Sequence, residues 1–142
     1  LEETGMGYGL EVDMIAEAHK LDMLTCPYVF DEEQAAAMTK AGAGIIVAHM
    51  GLTTGGTIGA ETARTLEDCV GIITGIVKVV KDINPDALVI CPGGPIAEPK
   101  DAAYIIENVP GIDGFFGATS IERFAAERGI KAQTEAFKSI KK

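Results

Sequence analysis

Residues 44–50 read GIIVAHM, and this stretch decides the fold class of the chain. The run is short, continuously apolar and rich in β-branched residues, which is typical of a strand covered on both faces in a parallel sheet. Further short apolar runs lie at residues 23–30, 87–91 and 112–116. The sequence therefore predicts buried parallel strands at these positions.

Helical patterns precede, separate and follow these runs. They span residues 9–20, 31–41, 65–83 and 98–108. The signals differ between segments and include helical spacing of apolar residues, an acidic first turn, a capping-box sequence and a proline in the first turn. The tail, residues 120–142, is predicted as a short helix, a break at Gly129 and a final amphipathic helix. Strands that alternate with helices predict an α/β fold built from parallel βα units.

The number of βα units indicates which parallel architecture is present. A doubly wound sheet usually carries a GxGxxG turn after its first strand, and the sequence has none. A (β/α)8 barrel takes about 250 residues, so the 142 residues here correspond to about half of a TIM barrel. We therefore expect one partial TIM-barrel domain over residues 1–142. The opening Leu1-Glu2-Glu3-Thr4 looks like the interior of a protein, so we expect a fragment whose open sheet edges need another half.

Composition excludes several classes of protein. With 47% hydrophobic residues the chain can form a core, which argues against intrinsic disorder. The net charge of -9 disfavours nucleic acid and anionic membranes as partners. No apolar run approaches the roughly 20 residues that span a bilayer. Cys26, Cys69 and Cys91 match neither a disulfide framework nor a zinc site, which indicates a reducing cytoplasm.

In βα folds the active site lies at the carboxyl ends of the strands, so residues that follow the apolar runs are the candidates. Residues 51–59, GLTTGGTIG, combine four glycines with three threonines. Accessible backbone N–H groups and hydroxyls in such a loop can hold a carboxylate or another anion, and a flexible surface loop is the alternative. The candidates for substrate binding in this loop are Thr53, Thr54, Gly55 and Gly56.

His49 and two glutamates are the candidate catalytic residues. His49 stands near the end of its strand, where it is either an acid/base group or metal ligand, or a core histidine. Glu2 and Glu3 precede the first helix. They are either base or metal carboxylates, or a solvated pair that compensates the helix dipole.

Two later loops complete the candidate rim. A proline-flanked glycine pair follows residues 87–91, and the sequence GATS follows residues 112–116. Paired loops of this kind often hold phosphate at the end of a barrel, whereas an ordinary helix cap and a surface arginine are the alternatives. The candidates here are Gly93, Gly94, Gly117, Thr119, Ser120 and Arg123.

Several motifs together resemble one family. They are LEETGMGYG at residues 1–9, TCPYVF at 25–30, IIVAHMGLTTGGTIGA at 45–60, GGPIA at 93–97 and GATSIER at 117–123. With them the chain resembles, over nearly its whole length, the phosphoenolpyruvate hydrolase-like or TIM-barrel signal-transduction proteins. The stretch IVAHMGLTTGG is specific, whereas the two glycine turns are not.

The resemblance implies the C-terminal half of a barrel of the phosphoenolpyruvate/pyruvate superfamily. Its members make or break C–C or P–C bonds of 2-oxo acids and use a divalent metal, usually Mg²⁺, to hold an enolate. The resemblance leads us to expect a histidine before the glycine pair, and Pro92 stands there instead, which puts that part of the chemistry in doubt.

Two functions are therefore open. The first is metal-assisted lyase or hydrolase chemistry on a phosphoenolpyruvate-like or 2-oxo acid substrate. The second is a non-catalytic signal-transduction module that binds a small anionic metabolite. In either case we expect a homo-oligomer or a complementing N-terminal half-barrel, because the sheet edges are open.

Overall fold

The computed structural model describes residues 2–5, 7–53 and 64–141. A 3₁₀ turn at Glu2–Thr4 opens it. The helices are α1 (Tyr8–Lys20), α2 (Glu32–Lys40), α3 (Leu66–Ile83), α4 (Pro99–Asn108) and α5 (Arg123–Lys138). The strands are β1 (Tyr28–Val29), β2 (Ile45–Ala48), β3 (Leu88–Cys91) and β4 (Gly114–Phe115). Helices and strands alternate in the predicted order, which is confirmed.

The strands form a parallel sheet in the order β1-β2-β3-β4. In the register of this sheet Val47 lies opposite Tyr28 on one side and opposite Ile90 on the other. Strands that follow one another around the sheet are the arrangement of a barrel wall, whereas a doubly wound sheet reverses its strand order. The sheet therefore confirms parallel βα units of the barrel type.

The helices cover one face of the sheet. The buried core joins strand residues such as Ile46 and Val89 to helix residues such as Met38, Ile73 and Ile105. Alternation places the neighbouring strand residues on the other face. There Tyr28, Leu88 and Phe116 remain 44%, 45% and 40% exposed. Large apolar side chains are thus left accessible on the side that would be the barrel interior.

The first strand and the last helix differ from the sequence prediction, and β4 is shorter than the predicted run at residues 112–116. The first strand is limited to Tyr28–Val29 because Pro27 has no N–H to donate, although Thr25 and Pro27 still accept backbone hydrogen bonds from Ile45 and Val47. The predicted break at Gly129 is wrong, since α5 continues through it. A glycine costs a helix only about 1 kcal/mol, and the flanking residues are good helix formers.

The two ends of the sheet differ in their chemistry. At the amino end Lys81 and Asp113 form an ion pair that ties α3 to the start of β4. At the carboxyl end the loops after β2, β3 and β4 meet, and this end is called the rim below. In the part of the chain that the structure describes, no helix is long and apolar enough to cross a membrane.

Candidate functional site

Tyr28 of β1 and residues that follow β2, β3 and β4 meet at the rim around a cavity of about 150 Å³, called the hydroxyl cavity. Tyr28 and Phe116 contribute aromatic surface to it. An imidazole and three hydroxyl side chains also line it, those of His49, Thr53, Thr119 and Ser120. With Gly93, which also lines it, the structure thus brings together one of the predicted catalytic residues and four of the predicted binding residues.

The imidazole of His49 is held in a defined orientation. Its Nδ1 accepts a hydrogen bond from the backbone N–H of Gly51 at 3.1 Å. The rings of Tyr28 and Phe30 lie against it, with centroids 4.9 and 5.3 Å away. Burial lowers the pKa of His49 below its ordinary value of 6.5, so the neutral imidazole predominates at neutral pH.

The hydroxyl groups of Thr53, Thr119 and Ser120 have no hydrogen-bond partner among the described residues. Helix α5 takes Glu122 as its N-cap residue and has no side-chain cap bond, so neither Thr119 nor Ser120 serves as the ordinary cap that the sequence left open. The carbonyl of Thr119 accepts instead from the N–H of Phe124 at 3.0 Å. These hydroxyls can therefore donate to a ligand.

The glycine pair after β3 packs against the loop after β2. Gly93 and Gly94 have φ values of +67° and +60°, in the left-handed region that favours glycine. A Cβ on Gly93 would lie 2.8 Å from the carbonyl oxygen of Gly51, and one on Gly94 would collide with the carbonyl oxygen of Met50. The close approach that requires these glycines is thus to neighbouring backbone, while Gly93 also lines the hydroxyl cavity.

Other predicted site residues lie away from this cavity. A Cβ on Gly117 would collide with the side chain of Ile121, so this glycine makes room for its own loop. The guanidinium of Arg123 donates to Glu127 at 2.9 Å, and Arg123 does not line the cavity. Glu3 is exposed in the first 3₁₀ turn, outside the cavity lining. Outside the described residues lie Thr54, Gly55, Gly56 and the side chain of Glu2.

A second cavity on the other side of His49 contains a residue that the sequence analysis missed. This arginine cavity, of about 390 Å³, is lined by Phe30, His49, Leu52 and Arg64, among others. Arg64 precedes the capping box of α3, and no described carboxylate lies within ion-pair distance of it. Its position before a helix was the available signal, but a single exposed arginine has no distinctive pattern.

Acidic side chains lie close to that arginine. Arg64 also lines a neighbouring cavity of about 550 Å³ together with Asp31, Glu32 and Glu33 at the start of α2. The described linings of the hydroxyl and arginine cavities contain no carboxylate. Arg64 therefore lines both the arginine cavity and the cavity beside this acidic turn.

The described residues do not by themselves form a site for the expected Mg²⁺. Mg²⁺ prefers carboxylate and other oxygen ligands, and neither rim cavity has a carboxylate in its described lining. Across residues 2–5, 7–53 and 64–141 there is no group of three His, Cys, Asp or Glu side chains placed to hold a metal ion.

The comparison with known families identifies the relatives of this chain. The model of the phosphoenolpyruvate hydrolase-like family matches residues 1–140. The chain belongs to this family. The predicted family resemblance is thereby confirmed.

Curated relatives of this phosphoenolpyruvate hydrolase-like chain include proteins from a plant and from a bacterium. It is 55% identical over 140 residues to the ToMV susceptible protein tm-1(GCR26) of Solanum lycopersicum, which covers 99% of the chain and 19% of that protein. It is 32% identical to the putative transcriptional regulatory protein y4pA of Sinorhizobium fredii, over 99% of the chain and 23% of that protein. The chain thus spans about a fifth of the length of these relatives.

Solved structures support the fold. The N-acetylmannosamine-6-phosphate 2-epimerase of Clostridium perfringens matches with a TM-score of 0.54 and 16% identity, over 85% of this chain and 48% of that one. A FabK mutant from Thermotoga maritima matches with a TM-score of 0.52 and 22% identity, over 77% of this chain and 32% of that one. Both are TIM-barrel enzymes, so the βα units of this chain correspond to half of such a barrel.

Proposed function

We propose that the rim binds a small anionic metabolite of the phosphoenolpyruvate or 2-oxo acid class and that the protein acts on it as a lyase or hydrolase. The observation that carries the proposal is the meeting of three unbonded hydroxyls with His49 in the hydroxyl cavity. An anion there meets hydrogen-bond donors, and the described lining adds no like charge. Membership of the phosphoenolpyruvate hydrolase-like family supports the ligand class.

In this proposal the residues have separate tasks. Thr53, Thr119 and Ser120 donate hydrogen bonds to a carboxylate or phosphate oxygen. Arg64, in the arginine cavity on the other side of His49, attracts a second negative group of the same ligand. His49 contacts the reacting part of the ligand between them. Thr54, Gly55, Gly56 and Gly117 remain predicted binding residues.

Mg²⁺ stays a proposed cofactor, because a divalent cation stabilises the oxygen of an enolate. Its carboxylate ligands are proposed to come from outside the described cavity linings, with Glu2 and Glu3 as the predicted candidates. The residues of the rim hold the ligand by hydrogen bonding and charge, whether or not that ion is bound.

The proposal is tested by the binding of phosphoenolpyruvate to the full-length protein, with and without Mg²⁺, measured by calorimetry and by the shift of the melting temperature. A ligand at a hundred times its Kd stabilises the folded state by about 2.7 kcal/mol. Thr119→Val removes one hydroxyl and keeps the shape of the side chain. Loss of a hydrogen bond to a charged group should raise the Kd about tenfold or more.

Thr134→Val is the matched control, because it makes the same chemical change at an exposed position of α5. It should leave the Kd unchanged. If millimolar phosphoenolpyruvate and pyruvate produce neither heat nor a melting shift in the wild-type protein, the proposed ligand class is wrong.

The alternative is a signal-transduction module that binds the same anion without changing it. Pro92, in the lining of the hydroxyl cavity, favours this alternative because it offers no side-chain group for proton transfer. Incubation of the full-length protein with the bound ligand, followed by NMR of the ligand over hours, separates the two functions. Product formation that Thr119→Val slows supports the enzyme, and binding without product supports the module.

We also propose that further βα units cover the inner face of the sheet, from the same protein or from a second copy of the chain. The exposed apolar side chains Tyr28, Leu88 and Phe116 on that face support this. Light scattering combined with a thermal melt of the isolated chain is the test. A discrete dimer that melts cooperatively indicates a second copy, and a molten monomer or an aggregate indicates that the cover lies elsewhere in the full-length protein.

We place the protein in the reducing cytoplasm as part of this proposal. The cysteines Cys26, Cys69 and Cys91 are all unpaired, and unpaired thiols are typical of that compartment. Localisation of the tagged full-length protein in cells checks this.

A further inference from the structure

We infer that His49 acts at the rim as a hydrogen-bond donor through Nε2–H, and not as a general base or a metal ligand. The inference rests on the proposed function, because it specifies what His49 does to the ligand bound there. It narrows the role of this histidine, which the sequence left open between acid, base and metal ligand.

The first argument is the hydrogen bond at Nδ1. Gly51 presents its backbone N–H to this nitrogen at 3.1 Å. A backbone amide can only donate, so Nδ1 must keep its lone pair to accept. In the neutral imidazole one nitrogen accepts and the other carries the proton. The proton therefore lies on Nε2.

The amide of Gly51 is itself fixed. Gly51 has a φ of +103°, which glycine adopts readily, and its carbonyl accepts from the N–H of Gly94 at 2.9 Å. The preceding residue, Met50, donates its N–H to the carbonyl of Pro92. The loop that carries the donor to Nδ1 is thus bonded to the loop after β3, so the N–H cannot turn away without breaking this contact.

The ring is also held on its faces. Tyr28 and Phe30 lie against the imidazole. The backbone of each of these two residues makes a hydrogen bond with a helix side chain. The hydroxyl of Tyr8 donates to the carbonyl of Tyr28 at 2.8 Å, and the N–H of Phe30 donates to the side chain of Gln34 at 3.0 Å. These contacts oppose rotation of the imidazole about its χ angles.

Nε2 is left available on the ligand side. It has no partner among the described residues, and a Cβ added to Gly93 in the cavity lining would lie 3.9 Å from it. Tyr28 faces the ring from β1, and Arg64 precedes α3 in the arginine cavity. No described carboxylate lines either cavity to stabilise an imidazolium, and burial lowers the pKa of His49.

The chemical consequence is specific. A neutral Nε2–H that points at a carbonyl or enolate oxygen stabilises the negative charge that develops there, in the manner of a preorganised oxyanion donor. It cannot accept a proton or bind a metal through Nε2 unless Nδ1 is protonated, and a protonated Nδ1 would point its N–H at the N–H of Gly51. Any base in the reaction must therefore be another group.

The test is long-range ¹H–¹⁵N correlation NMR of the uniformly ¹⁵N-labelled protein at neutral pH, first free and then with phosphoenolpyruvate. His49→Gln assigns the resonances of His49 by their loss. Exposed His19, the other histidine of the chain, is the internal control, since no described residue donates a hydrogen bond to it. We expect His49 to show a protonated Nε2 and an unprotonated Nδ1 without averaging, and His19 to show averaged tautomers.

The outcomes are distinct. A protonated Nδ1 in His49, or averaging like that of His19, overturns the inference. With phosphoenolpyruvate, a shift of Nε2 and its proton at constant tautomer supports it, and protonation of Nδ1 on binding overturns it. If neither nitrogen shifts at saturation, the proposed function of the cavity fails and with it the role of His49, while the assigned tautomer still stands.

Discussion

Gly94 donates its backbone N–H to the carbonyl oxygen of Gly51 at 2.9 Å, and this hydrogen bond joins the loop after β3 to the loop after β2. The same residue, Gly51, donates its own N–H to Nδ1 of His49. One glycine thus connects the packing of two rim loops with the orientation of the imidazole. The glycine pair after β3 therefore contributes to the site by holding the backbone that orients His49.

Gly94→Ala should destabilise the protein by about 2–4 kcal/mol. Gly94 has a φ of +60°, and an added Cβ would collide with the carbonyl oxygen of Met50, so strain and overpacking act together. Urea unfolding followed by circular dichroism measures the free energy of unfolding.

Gly71→Ala is the matched control with the opposite expected sign. Gly71 is exposed within α3 and has nothing within 4 Å of an added Cβ. Alanine there should stabilise the protein by up to about 1 kcal/mol, because glycine is a poor helix former. Equal effects of the two substitutions would show that the rim packing does not require Gly94.

The sequence predicted the fold better than it predicted the site. The apolar runs at residues 44–50 and 87–91 become β2 and β3, whose Ile46 and Val89 are buried against the helices, while Leu88 on the other face is 45% exposed. Such local patterns depend on neighbouring residues only. The predicted helix break at Gly129 was wrong because the helix formers that flank this glycine outweigh its helix-breaking tendency.

The site depends on contacts between distant residues, which periodicity does not encode. His49, Thr53, Thr119 and Ser120 were found because each follows a strand. Arg64 was missed because it stands far along the sequence from the end of β2, and only the fold returns it to the rim. That Nδ1 of His49 accepts from Gly51 requires a backbone geometry that residue types alone do not specify.

At the opposite end of the sheet, Asp113→Ala should lower the free energy of unfolding by about 2–3 kcal/mol. The Asp113 carboxylate accepts from Nζ of Lys81 at 3.0 Å and from the N–H of Val89 at 2.7 Å. Asp113→Asn can still accept from Val89 and should cost less. Urea unfolding of both variants is the measurement, and equal losses would mean that the charge of Asp113 carries the whole effect.

The stability of the protein should depend on pH through His49. Its pKa is lowered in the folded state because of burial, so the unfolded chain binds the proton more tightly. The contribution of the neutral imidazole is complete above the unfolded pKa of about 6.5 and is lost as the pH falls through the lower folded value. His49→Gln should therefore flatten the dependence of the free energy of unfolding on pH below about pH 7. If the free energy of unfolding of this variant changes with pH as steeply as that of the wild type, the lowered pKa of the His49 ring is wrong.

Arg64→Gln should weaken the binding of phosphoenolpyruvate to the full-length protein about tenfold, because an arginine can form two charge-assisted hydrogen bonds to a carboxylate or phosphate. Arg123→Gln is the comparison, since Arg123 was the arginine predicted from the sequence but its guanidinium donates to Glu127. Calorimetry at two salt concentrations measures both variants, and Arg64→Gln should also reduce the salt dependence of the Kd. If only Arg123→Gln weakens binding, and its melting temperature is unchanged, then the anion is contacted by Arg123 at the start of α5 and not by Arg64.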